Sequence, residues 1–117
     1  MTRLLNHINN LNDMVLQGNA MEAFEKYYAE NVIMQENNDL PVVGKQANRE
    51  RELDFFNQIT DFRGARPLQV AVGENLTMVV WHFDYTHKAW GEKNYTQVAV
   101  QEWDGDQIIK ETFYYAS

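Results

Sequence analysis

The segment Leu76–His87, LTMVVWHFDYTH, constrains this chain more than any other stretch. Successive residues of a strand point to opposite faces. Val79, Trp81, Phe83 and Tyr85 therefore share one side, and Val80, His82, Asp84 and Thr86 share the other. Leaving a large apolar side chain in water forfeits about 1.5–3 kcal/mol. The aromatic side must lie against an apolar partner, which the rest of the chain has to supply.

That partner comes first in the sequence. Leu4, Leu5, Ile8, Leu11 and Val15 recur at helical spacing, and the pattern stops near Gly18. Asn19, with Glu22 three residues on, resembles a capping box that starts a second helix through Ala23, Phe24 and Tyr27. A short strand is predicted over 32–36, then a loop, NNDLPVVG, and a third helix over about 45–60. The charged run KQANREREL on that helix reads as a solvated face with local ion pairs.

After Gly64 the period changes from helical to alternating. LQVAV, LTMVVWHFDYTH, NYTQVAVQEW and IIKETFYY are rich in Val, Ile, Tyr, Trp and Thr. The breaks at Gly73-Glu74-Asn75, Ala89-Trp90-Gly91-Glu92 and Asp104-Gly105-Asp106 are short enough for antiparallel hairpins. Helices followed by a strand meander predict an α+β fold. Its 117 residues fit one domain, 1–117, able to bury roughly 65% of the unfolded surface.

Composition removes several functions. A net charge of −7 repels polyphosphate, so no nucleic-acid partner is expected. Without cysteine there is no thiolate nucleophile and no disulfide, which suits a cytoplasmic chain. The single serine, Ser117, stands at the end of the sequence and offers no nucleophile. No run is apolar enough to span a membrane or serve as a signal peptide, so no membrane partner is expected. His82 and His87 point to opposite faces of one strand, and His7 has no carboxylate at i+4, so no metal site is expected. No cofactor motif occurs either. Gly44-Lys45 lacks the upstream glycine of a phosphate loop, because position 39 is Asp39.

The same alternation places polar residues among the inward rings. Ile109, Glu111, Phe113 and Tyr115 share a face of the last strand, and Val32, Met34 and Glu36 share one of the first. The fourth strand leaves its phase open between Tyr95, Gln97, Ala99, Gln101 and Trp103 and the even set Thr96, Val98, Val100 and Glu102. Rings, a glutamine and two glutamates on one face predict a pocket between helices and sheet. Met34, Trp81, Phe83, Tyr85, Gln101, Trp103 and Phe113 are its expected ligand-binding walls. The alternative is that the rings simply pack and the glutamates reach out to water.

YYAENVIMQEN, VVGKQANRERE, FDYTHK and VQEWDGDQIIKETFYY, in this order, resemble the SnoaL-like branch of the nuclear transport factor 2-like superfamily over about residues 5–115. The resemblance implies a cone-shaped half-barrel, three N-terminal helices against a curved antiparallel sheet, with a pocket at the open end. It also implies a homodimer paired through the outer sheet face, where Val80, Val98 and Val100 offer an apolar patch. Superfamily activities include isomerase, cyclase, dehydratase and hydrolase chemistry without cofactors, and other members only bind ligands or proteins. Glu36 stands where the ketosteroid isomerases carry their general base. The positions of their oxyanion-hole tyrosine and aspartate fall at Leu11 and Ala99. Two apolar residues there argue against that mechanism.

The expected catalytic set is Glu36, Glu111, Tyr115 and His87. A carboxyl facing rings loses hydration, which suits a general base working beside a carbonyl. Glu111 is the second acid or, alternatively, the ion-pair partner of Arg49 or Arg51. Tyr115 and Tyr85 are candidate donors to an enolate, and His87 is a candidate proton shuttle. The expected function is cofactor-independent proton transfer on a small hydrophobic carbonyl compound. The alternative is a non-catalytic ligand-binding or dimerising scaffold.

Overall fold

Helix α1 (Thr2–Leu16) turns Leu4, Ile8 and Leu11 inward, at the spacing that the sequence sets. The computed structural model describes residues 2–116; Ser117 lies outside them. The helix stops at Gly18, whose φ of +82° is open to glycine at little cost. Gly18 N–H reaches Val15 O at 3.1 Å and Asn19 N–H reaches Met14 O at 2.8 Å, closing the last turn as a Schellman motif. Helix α2 (Ala20–Tyr27) follows, with Asn19 as its N-cap residue. The asparagine side chain makes no capping bond, so the expected capping box is not formed.

Strand β1 (Tyr28–Glu36) starts four residues before the predicted strand, and the loop after it contains a two-residue strand, β2 (Val42–Val43). Helix α3 (Lys45–Asn57) leads into β3 (Ile59–Gly73), β4 (Leu76–His87), β5 (Gly91–Asp104) and β6 (Gln107–Tyr114). The sheet order is β2-β1-β6-β5-β4-β3. The meander is antiparallel as expected, but β1 runs parallel to β6, so the sheet is mixed.

Strand β3 is longer than the alternation suggested, because Gly64 and Pro67 lie inside it. It is an edge strand, where a proline costs no ladder bond that a neighbour needs. Its pairing with β4 slips at Ile59/Asp61, Phe62/Gly64 and Pro67/Gln69, and such bulges bend and twist a strand around what it covers.

The core lies between α1, α2 and the concave face of the sheet. Ile8, Phe24, Tyr27, Val32, Met34, Val79, Trp81, Ala99, Trp103 and Ile108 are buried together. The phase of β5 resolves in favour of Gln97, Ala99, Gln101 and Trp103 inward. Leu11 and Ala99 both belong to the core.

Candidate active site

Two features of β1 and β6 set the site. Residue 37 must turn the chain out of the sheet, and Asn37 does so at φ +50°, a left-handed conformation in which asparagine is enriched. Its N–H donates to Phe113 O at 2.7 Å, and its Oδ1 accepts from Tyr115 N–H at 3.0 Å. The ends of the two parallel strands are thereby tied, and Glu36 meets Tyr115. The Tyr115 hydroxyl donates to Glu36 Oε1 at 2.9 Å.

The other wall is α3. Its inward stripe is Lys45, Asn48, Arg51, Glu52 and Phe55, at spacings of three and four residues. Asn48, fully buried, donates to Val42 O at 3.0 Å and Gly44 O at 2.9 Å, fixing the start of the helix to β2. The phase that results brings Arg51 and Glu52 to the sheet. This corrects the expectation that the whole charged run is a solvated face. Arg49 does lie on the outer side, where its Nε and Nη2 pair with Glu25 at 2.5 and 2.9 Å.

Arg51 Nη1 donates to Glu36 Oε2 at 2.8 Å, and Arg51 Nη2 stands 3.7 Å from Glu52 Oε1. The three side chains are 31%, 36% and 22% exposed respectively, so the cluster opens to solvent on one side. Glu52 nonetheless loses enough hydration that its pKa is pushed up to about 7. Arg51 opposes that shift, and the charges of Glu111 and Glu36 add to it.

Behind this group is a closed polar chain. Trp103 Nε1–H donates to Thr77 Oγ1 at 2.9 Å, and the Thr77 hydroxyl donates to Gln101 Oε1 at 2.7 Å. Gln101 Nε2–H donates to Glu111 Oε2 at 2.7 Å, and the Tyr28 hydroxyl donates to Glu111 Oε1. Burial raises the Glu111 pKa, while the bonds from Gln101 and Tyr28 and the charge of Arg51 oppose the rise. Among the described residues no helix cation bonds Glu111; Arg51 acts on it through space. Burial and the adjacent Glu111 raise the Tyr28 pKa.

The expected site residues thus divide. Glu36, Tyr115 and Glu111 come together around Arg51. Tyr85 is close by: its hydroxyl and that of Tyr95 are 2.8 Å apart, and both phenols have raised pKa values through burial. Phe83, stacked on Trp81 at 5.3 Å, and Phe113 are partly buried. Met34, Trp81 and Trp103 are core residues, 1–5% exposed, rather than walls of an open pocket. Gln101 serves the polar chain.

His87 is buried in a stack on the Trp90 ring, 3.7 Å between centroids, with Phe55 alongside. Its Nδ1 accepts the N–H groups of Ala89 and Trp90 at 3.1 and 3.3 Å. It therefore caps the β4–β5 turn, which accounts for its burial without a shuttle role. Glu52 and Tyr28 were not anticipated; Arg51 was named only as a possible ion-pair partner of Glu111, and Tyr95 only within one of the two open phases of the fourth strand. The signal for Arg51 and Glu52 was the three-and-four spacing that they share with Lys45, Asn48 and Phe55.

Comparison with known proteins places this geometry. A family model described as SnoaL-like domain matches residues 6–115. A Mesorhizobium loti protein described as a SnoaL-like polyketide cyclase superposes with a TM-score of 0.86 at 22% identity, covering 96% of this chain and 98% of that one. A Bacillus subtilis protein described as an isomerase gives 0.78 at 15%, covering 98% and 87%. A Mycobacterium tuberculosis LEH-like epoxide hydrolase gives 0.78 at 8%, covering 98% and 84%. At these identities the likeness is one of fold. Comparison with curated proteins yields no match.

Proposed function

This chain belongs to the SnoaL-like domain family, and from that premise and the cluster around Arg51 we propose that it is a cofactor-independent proton-transfer enzyme. Its substrate in this reading is a small hydrophobic carbonyl compound held between α3 and β1, β4, β5 and β6, and its chemistry is of the isomerase, cyclase or dehydratase type. One observation carries the proposal: a carboxyl pushed to about 7 stands beside a guanidinium that also holds a second carboxylate. A group that titrates near neutral pH both takes and returns protons efficiently.

Glu52, rather than Glu36, is the proton carrier. Each Glu36 oxygen already accepts a bond, one from Tyr115 and one from Arg51, so in this reading its work is to hold those two side chains in place. Two phenols that share one hydrogen bond keep one hydroxyl hydrogen free, so the Tyr85–Tyr95 pair supplies a donor for an enolate oxygen. Tyr115 has its hydrogen committed to Glu36.

The experiment is α-proton exchange in deuterated buffer over a panel of aryl and alkyl ketones, followed by NMR. Catalysed exchange should fall by about 10²–10⁴ in Glu52→Gln. Exchange that persists in that variant, or its absence with every ketone, would count against the proposal.

The tight internal bonds of Glu36 and Glu111 favour a second reading, a binding module whose polar groups specify structure. In either reading, two copies pair through the outer sheet face. Support comes from the apolar rows there, Val80 opposite Val98 and Met78 opposite Val100; Met78, Val80 and Val98 border a groove of about 550 Å³.

A further inference from the structure

The chain has five arginines, and four of them hold a carboxylate: Arg3 holds Asp106, Arg49 holds Glu25, Arg51 holds Glu36 and Arg63 holds Asp84. Arg66 has no such partner among the described residues, although acidic side chains outnumber basic ones throughout the chain. It lines a groove of about 380 Å³ on β3 and β4, together with Arg63, Gly64, Ala65, His82 and Asp84. That volume is enough for a small ligand. The groove exists because residue 64 has no side chain. Gly64 and Arg66 lie two apart on β3, opposite Asp84 and His82 of β4, on the side of the sheet away from Trp81. A Cβ at Gly64 would meet no atom within 4 Å, so bare backbone faces open space. Gly64 is not among the glycines of positive φ, so backbone conformation does not demand glycine there.

The other charges of the groove answer one another. Arg63 Nε donates to Asp84 Oδ1 at 2.8 Å, and its Nη1 donates to Asp61 Oδ2 at 2.9 Å and Thr86 Oγ1 at 2.8 Å. His82 has one polar neighbour, Thr96 Oγ1, 3.4 Å from its Nδ1. The guanidinium of Arg66 is then the charge left to a ligand. A guanidinium presents parallel N–H groups that match the two oxygens of a carboxylate. A dianion suits the place less well, because its second charge would meet Asp84. We propose that this groove is a second ligand site, which takes a small monocarboxylate with its oxygens on Arg66 and its body over Gly64. It lies on the opposite face of the sheet from the Trp81 and Phe83 rings, and it is independent of the proton-transfer reading. Arg63 and Arg66 are exposed, and exposed ion pairs contribute little, so the affinity is millimolar.

The test is an NMR titration of the full chain with benzoate and with benzamide, its neutral counterpart of the same shape, in low-salt buffer free of carboxylate and phosphate. Benzoate should move the Arg66 Nε–H signal and the backbone N–H signals of Gly64 and His82 together. It should bind at least about tenfold more tightly than benzamide, and Arg66→Gln should remove that preference. Gly64→Val fills the groove without touching any charge and should abolish binding, with thermal unfolding confirming that both variants remain folded. Signals unmoved by tens of millimolar benzoate, equal binding of benzamide, or benzoate binding that survives Arg66→Gln or Gly64→Val would overturn the proposal. Inorganic phosphate binding to these residues more tightly than benzoate would overturn the assignment of a monocarboxylate.

Discussion

Arg51 and Glu52 are adjacent in sequence, opposite in charge and both turned toward the sheet, and their surroundings treat them differently. The guanidinium keeps its charge at any ordinary pH. The Glu52 carboxyl responds to lost hydration and to two neighbouring carboxylates by holding its proton. A pKa that rises from 4.5 in the unfolded chain to about 7 in the folded one means that the folded state binds more protons across that window. Stability from this group is then full below pH 4.5 and is lost as the pH climbs to about 7, at up to about 1.4 kcal/mol per pH unit. Urea unfolding of wild type and Glu52→Gln from pH 5 to 7 should show the wild type losing stability relative to the variant. Parallel curves would contradict this. Glu52 was not legible in the sequence because the inward stripe of α3 is mostly polar, so hydrophobic periodicity carries no phase there. The strand residues Glu36, Glu111 and Tyr115 were legible because period two needs only one aromatic face to set it.

At the scale of elements, the site depends on a parallel pair that no hairpin dictates. β1 and β6 are separated by most of the chain, and no local pattern announces their partnership. Asn37 secures it with one main-chain and one side-chain bond. Asn37→Gly keeps the left-handed backbone but removes Oδ1. It should cost about 0.5–1.5 kcal/mol for the lost bond and weaken the Tyr115–Glu36 contact. Thermal unfolding and the Tyr115 hydroxyl environment by NMR check both effects, and an unchanged midpoint would contradict them. The α+β order, the hairpin breaks and the inward face of β4 followed from the sequence, since each is a local pattern. On β6 Glu111 turns inward as expected, but Ile108 and not the expected Ile109 enters the core, because the pairing with β5 slips between Glu102 and Trp103 and leaves Ile109 as the extra residue. The first half of β3 did not, because Gly64 and Pro67 read as breakers where an edge strand tolerates them.

In the whole molecule α1 and α2 cover the core face of the sheet, while α3 packs against β1 and is joined to α2 through the Arg49–Glu25 pair. The convex side of the sheet leaves Met78, Val80, Val98 and Val100 at least partly exposed. A stable pairing there would bury about 1,200–2,000 Å² in total. Sedimentation velocity should find a dimer at micromolar concentration and a monomer for Val80→Arg, whereas a wild-type monomer would contradict the pairing. The account as a whole turns on whether Glu52 carries a carboxyl ready to exchange its proton at neutral pH. The ¹³C titration of the Glu52 side-chain carboxyl measures this directly. The predicted midpoint is about 7; a midpoint at the ordinary glutamate value of 4.5 would contradict the account.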